Sequence, residues 1–214
     1  MADAPLLVGY WRSSAAYRVR IAVNLKGLTP RHAAVHLRKG EQRGADHLGL
    51  NPSGLVPVWQ EEGFSLAQSL AIIEYLDETW PEPPILPAAP RDRAVAREIA
   101  LTVACDIHPL GNLRVLDKLT ADWGAGAPAR AAWNRHWIGI GFAAIEARLA
   151  HSAGRYAVGD APSLADICLV PQVYNARRFE LDLTPYPLIR AVDEAARAHP
   201  AFAAAAPEAQ ADAE

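Results

Sequence analysis

The chain has 214 residues, 51% hydrophobic and 21% charged, which suits one large or two small cores of ordinary soluble composition. A formal net charge of −3 gives no electrostatic reason for a nucleic-acid partner or an anionic membrane surface. No apolar run reaches the roughly 20 residues of a bilayer span. Met1-Ala2-Asp3-Ala4-Pro5 lacks the basic-then-apolar order of a secretory leader, so a cytoplasmic location away from membranes is expected.

In chain order, Leu6–Tyr10 reads as a strand, Tyr17–Lys26 as a helix and Arg31–Val35 as a second strand. Val56–Gln60 and Phe64–Leu66 read as a hairpin across Glu61-Glu62-Gly63. Gln68–Thr79 reads as a helix, with Leu70, Ile72, Ile73 and Leu76 at helical spacing and Ser69 near its start. Pro81 to Pro90 is too proline-rich for a helix interior and reads as an extended linker. Beyond it lies alanine-rich helical sequence with no strand pattern: Arg91–Asp122, Ala127–His151, Leu164–Arg178 and Leu188–Ala198. Ser163 and Asp166 have capping-box spacing, Pro171 should kink its helix, and residues from about Pro207 should fray. Cys105 and Cys168, in apolar helical contexts, read as buried free thiols, with no disulfide or metal site expected. The chain thus divides into an α/β domain over 1–82, a linker over 83–90 and an all-helical domain over 91–214.

Three short motifs could carry chemistry. Arg12-Ser13-Ser14 sits where the first strand hands over to a helix, so its hydroxyls could cap the helix or hold an anion at its positive end. Val56-Pro57 enters a strand; a cis bond there would turn the Val56 backbone toward a peptide ligand, while an ordinary edge proline is the simpler alternative. Gln68-Ser69 at the next helix start could cap it or take a carboxylate.

Taken together, these motifs follow the sequence order of the glutathione site in thioredoxin-like domains. Trp11-Arg12-Ser13-Ser14 with Arg18-Val19-Arg20-Ile21-Ala22 resembles the signature of the zeta class of glutathione transferases. Gln68 to Leu76, Ala165 to Val173 and Asp182 to Pro187 match the same class, and the likeness runs from about Leu6 to Pro207. It implies a two-domain glutathione transferase fold, an N-terminal thioredoxin-like α/β domain with a C-terminal all-α domain, working as a homodimer with glutathione as cofactor.

The resemblance also implies residue roles. Val56 would pair its backbone with the cysteinyl part of glutathione, with Pro57 in cis. Gln68 and Ser69 would hold the γ-glutamyl end and Gln42 the glycine end, and His108 and Asn112 would close over the tripeptide. Arg12, Arg114 and Arg178 would face a dicarboxylate-type maleyl substrate, because guanidinium groups pair with carboxylates through charge-assisted hydrogen bonds. One departure matters: Ala15 stands where the class signature usually has cysteine, and Ala16 follows. Neither can act as a nucleophile. Ser13, Ser14, the helix end and Arg12 are therefore left to stabilise the thiolate of glutathione, with Ser13 favoured.

The implied activity is cis–trans isomerisation of maleylpyruvate to fumarylpyruvate, or of maleylacetoacetate to fumarylacetoacetate, in aromatic catabolism. Ile107-His108-Pro109 and Ala176 to Phe179 lean toward the maleylpyruvate reaction. The double bond becomes single while thiolate is added, and arginines would stabilise the developing enolate charge. Two alternatives stand beside this one: a general transferase or peroxidase acting on electrophiles, and a non-catalytic interaction module.

Overall fold

The structure is a computed structural model and describes residues 4–214. The chain separates into two compact units: residues up to Pro84 together with His199–Glu214, and Ile85–Ala198.

The first unit is built on a four-stranded sheet: β1 (Leu6–Gly9), β2 (Arg31–Ala34), β3 (Val58–Glu61) and β4 (Phe64–Ala67), in the order β2-β1-β3-β4. β1 is parallel to β2 and antiparallel to β3. The parallel pair needs a crossover, supplied by α1 (Ser14–Leu25). Ala16 to Val23 are all buried, so α1 runs through the unit rather than over it. Arg18 and Arg20 lie within this run at 2% and 5% exposure. β3 and β4 turn through Glu62 and Gly63, both with positive φ, as a two-residue hairpin requires. The short α2 (Ala45–Leu50) and α3 (Ser69–Thr79) complete the α/β part, with α3 packed on α1.

The second unit is helical: α4 (Pro90–Leu101), α5 (Leu113–Trp123), α6 (Ala127–Ser152), α7 (Leu164–Arg178) and α8 (Pro187–Arg197). α7 is nearly all buried, packs on α4 and α8, and continues through Pro171 as one helix. No helix among the described residues is long and apolar enough to cross a membrane.

Four expectations are corrected. Arg91–Asp122 is not one helix: α4 ends at Leu101, Thr102–Ile107 winds as a wider π-helical turn, and His108–Gly111 tightens into a 3-10 turn. Pro109 has no N–H to send back to Cys105, and the Asn112 side chain then caps α5 by accepting from the Arg114 N–H at 3.2 Å. Cys105 lies on the π-helical turn and is exposed, whereas Cys168 is buried. The strand starting at Val56 begins instead at Val58, after the proline.

The fourth correction concerns the end of the chain. Residues after Ala198 do not belong with the helical unit, and those after Pro207 do not fray. A last helix, α9 (Pro200–Ala205), buries Phe202 and Ala205 and packs on α1. Asn24 Nδ2 donates to the Ala201 carbonyl at 2.9 Å, and Arg20 Nε to that of Ala205 at 3.0 Å. The tail then holds itself through Gln210 Nε2, which donates to the carbonyls of Ala204 and Ala206. Asp212 Oδ2 accepts from the Trp11 N–H at 3.0 Å, and Glu214 meets His36 at 2.5 Å.

Candidate active site

β1 ends in a turn from Tyr10 to Ser13, closed by the Ser13 N–H donating to the Tyr10 carbonyl at 3.0 Å. Ser13 is the N-cap of α1, its Oγ accepting from the Ala16 N–H at 3.2 Å. A hydroxyl that accepts still has its O–H to donate. Capping and anion binding are therefore compatible at Ser13 rather than competing. Ser14 is the first residue of α1, and Ala15 adds no polar atom. The half-buried Arg12 holds its guanidinium 5.2 Å from the centre of the Trp11 ring.

The Val56–Pro57 peptide is cis, as the family resemblance implied and against the simpler edge-proline reading, and both residues are buried. Two residues given no role in the sequence reading brace the approach to it. His47 Nε2 lies 2.9 Å and Asn51 Nδ2 2.8 Å from the Leu55 carbonyl, while Asn51 Oδ1 accepts from the Ser53 N–H and O–H. Removing one buried partner costs roughly 1–3 kcal/mol. Asn51→Ala should lower stability by about that much and weaken glutathione binding, measured by urea denaturation and calorimetry. Wild-type values in both would remove the bracing role.

Gln68 holds the cap position of α3, but its side chain makes no capping bond. Its backbone is at φ 74, ψ 114, an unusual conformation for a residue with a side chain, and the side chain is exposed. Ser69 is buried behind it, its Oγ accepting from the Arg18 guanidinium at 3.3 Å. A buried cation thus stands behind the hydroxyl expected to meet a carboxylate. Gln42, on the 3-10 turn Glu41–Arg43, is 7% exposed, and its amide oxygen has no hydrogen-bond partner among the described residues.

Eight expected site residues, Arg12, Ser13, Ser14, Gln42, Val56, Pro57, Gln68 and Ser69, belong to the first unit. The other four belong to the helical unit. His108 opens the 3-10 turn, whose Leu110 carbonyl accepts from Trp133 Nε1 at 2.8 Å. Arg114 is exposed in the first turn of α5, beside the capping Asn112. Arg178 is exposed at the end of α7, 3.5 Å from Asn175 Oδ1 and 4.8 Å from the centre of the Phe179 ring. The supporting roles of Arg18, Arg20, His47 and Asn51 were not assigned from the sequence, where the two arginines stood only as part of the signature. For the two arginines a signal existed: charged residues inside the otherwise apolar helix run Tyr17–Val23 must have partners.

Family models for the glutathione S-transferase N-terminal domain and C-terminal domain match residues 12–79 and 141–204. A probable maleylacetoacetate isomerase of Vibrio cholerae is 53% identical over 97% of this chain and 98% of its own. A maleylpyruvate isomerase of Ralstonia is 50% identical over 96% and 98%. Among solved structures, a holo maleylpyruvate isomerase described as a zeta-class bacterial glutathione S-transferase superposes with a TM-score of 0.96. It is 49% identical, over 98% of this chain and all of that one. A maleylacetoacetate isomerase from Anaeromyxobacter dehalogenans, with dicarboxyethyl glutathione and citrate in its active site, is 44% identical over the whole of both chains, with a TM-score of 0.89. The chain belongs to the glutathione transferase family, in its zeta class.

Proposed function

We propose that the protein is a glutathione-dependent cis–trans isomerase, acting on maleylpyruvate or maleylacetoacetate to give the fumaryl product. The observation that carries this reading is Ser13: a hydroxyl at the N-terminus of a buried helix, with an O–H left to donate, in a unit whose described residues include no cysteine. Near full-length identity to isomerases of both substrates supports it. Glutathione, when bound, supplies a thiolate that adds reversibly to the activated double bond and so permits its rotation. Ser13, with Ser14 and the helix N-terminus, stabilises negative charge on sulfur. Gln42, the Val56 backbone, Gln68 and Ser69 hold the tripeptide, joined by His108 and Asn112. Arg12, Arg114 and Arg178 take the substrate's carboxylates and offset the charge that develops beside them. A cytoplasmic homodimer belongs to the same reading, and sedimentation checks the dimer.

The test is glutathione-dependent loss of the ultraviolet absorbance of each maleyl compound, with kcat/KM compared between them. Arg178→Ala should lower kcat/KM by roughly a hundred-fold or more while leaving the melting temperature near wild type. Turnover of an aryl halide, with neither maleyl compound converted, would replace this reading by general transferase chemistry.

A further inference from the structure

The backbone of the Tyr10–Ser13 turn is held from behind by two side chains. Arg20 NH2 donates to the Trp11 carbonyl at 2.8 Å and NH1 to that of Tyr10 at 3.4 Å, while its Nε reaches the Ala205 carbonyl at the end of α9. Asp212 accepts from the Trp11 N–H, which shares its peptide with the Tyr10 carbonyl. Among the described residues these contacts join the tail to the turn carrying Ser13 in two ways: Asp212 through the Trp11 N–H, and Ala205 through Arg20, whose NH1 shares the Tyr10 carbonyl with the Ser13 N–H. Between the tail and the sheet lies a cavity of about 240 Å³, lined by Tyr10, Trp11, Arg20, His32, Gln210 and Asp212 among others. Close packing does not press the tail onto the turn there, so directed polar contacts must hold it.

We infer that Asp212 and Arg20 are positioning residues, and that residues 199–214 form a clamp that fixes the turn carrying Ser13 in its donating geometry. Arg20 is buried and gives its guanidinium to three backbone carbonyls. Asp212 complements it by taking the one N–H of the same peptide that Arg20 cannot use. The contact between Glu214 and His36 is exposed and contributes little to this hold. Sub-ångström displacement of a preorganised donor is enough to lose much of its effect on rate. The clamp therefore acts on kcat through Ser13 rather than on affinity for the tripeptide.

The catalytic part of this inference rests on the isomerase reading; the structural part does not. Two measurements separate them. In the full-length protein without ligand, Asp212→Ala should speed hydrogen exchange at the Trp11 amide by about ten-fold or more, the loss of one hydrogen bond to a charged acceptor. With glutathione bound, it should lower kcat about ten-fold, change the KM for glutathione less, and move the ionisation midpoint of the bound thiol upward, read from thiolate absorbance. Asp212→Asn keeps an acceptor for the Trp11 N–H and should recover most of both effects. An active wild type whose Asp212→Ala variant keeps the same kcat and midpoint overturns the clamp, whatever happens to its melting temperature. A wild type that neither binds glutathione nor isomerises overturns the isomerase reading, and the exchange rate still decides the hold on the turn. Should Asp212→Ala fail to fold, Asp212→Glu, which shifts the carboxylate by a methylene, is read the same way.

Discussion

Ser13→Ala is expected to lower the isomerase kcat by about a hundred- to a thousand-fold, the usual effect of removing one preorganised donor. The same substitution deletes the cap of α1, so stability should fall by about 1 kcal/mol. The two effects separate by pH. Without the Ser13 O–H the bound thiol ionises at higher pH, so the deficit is greatest near neutrality and narrows in alkali. Ser14 makes no capping bond, and Ser14→Ala should leave stability nearer wild type. Stopped-flow turnover, thiolate absorbance against pH and thermal melting together decide the matter. A Ser13→Ala enzyme with wild-type kcat and midpoint would falsify the assignment and move it to Ser14.

The largest stability effect is expected at Asp166. This wholly buried carboxylate accepts from the Ala157 N–H at 2.8 Å and from the Ser163 N–H and O–H at 2.8 and 2.9 Å. It thereby ties the loop before α7 to that helix, whose Leu164 N–H in turn donates to the Ile85 carbonyl. Asp166→Ala strands three buried donors and should cost on the order of 3–5 kcal/mol. Burial outweighs these donors and the Asp166 backbone N–H, and pushes the carboxyl up to about 6. Between about pH 4 and 6 the folded chain therefore holds a proton that the unfolded chain has released. The stability this group contributes is complete below pH 4 and is lost as pH rises through about 6. The gap between wild type and Asp166→Ala should accordingly narrow from pH 4 to pH 7, opposite to the behaviour of an ordinary salt-bridged aspartate. Urea denaturation across that range measures it; a gap that widens instead would show that the charged form is the better accommodated one.

What could be read from the sequence was what repeats or punctuates. Alternation, helical spacing and Gly63 located the strands and α3, and the order of Ser13, Val56-Pro57 and Gln68-Ser69 is what points to the candidate site. The break after Leu101 was missed because alanine and aliphatic residues continue the helical pattern through Ile107, and only Pro109 and Asn112 argue against it. The tail was missed for a different reason. Ala206 to Glu214 is small and polar, and Asp212 and Gln210 hold it through backbone groups with no periodicity to betray them. The bracing at Leu55 was equally silent, since His47 and Asn51 converge on a carbonyl that no pattern of side chains marks.

The docking of α9 on α1 also bears on how the protein is made. The first unit begins with the earliest residues but needs Phe202, Ala205 and Asp212 to cover and fasten α1. On a ribosome, the whole helical unit between Ile85 and Ala198 is synthesised before those residues emerge. The half of the molecule that starts first is therefore the half that is finished last. A chain released after residue 198 should present the α1 surface to chaperones, even with its own helical unit folded.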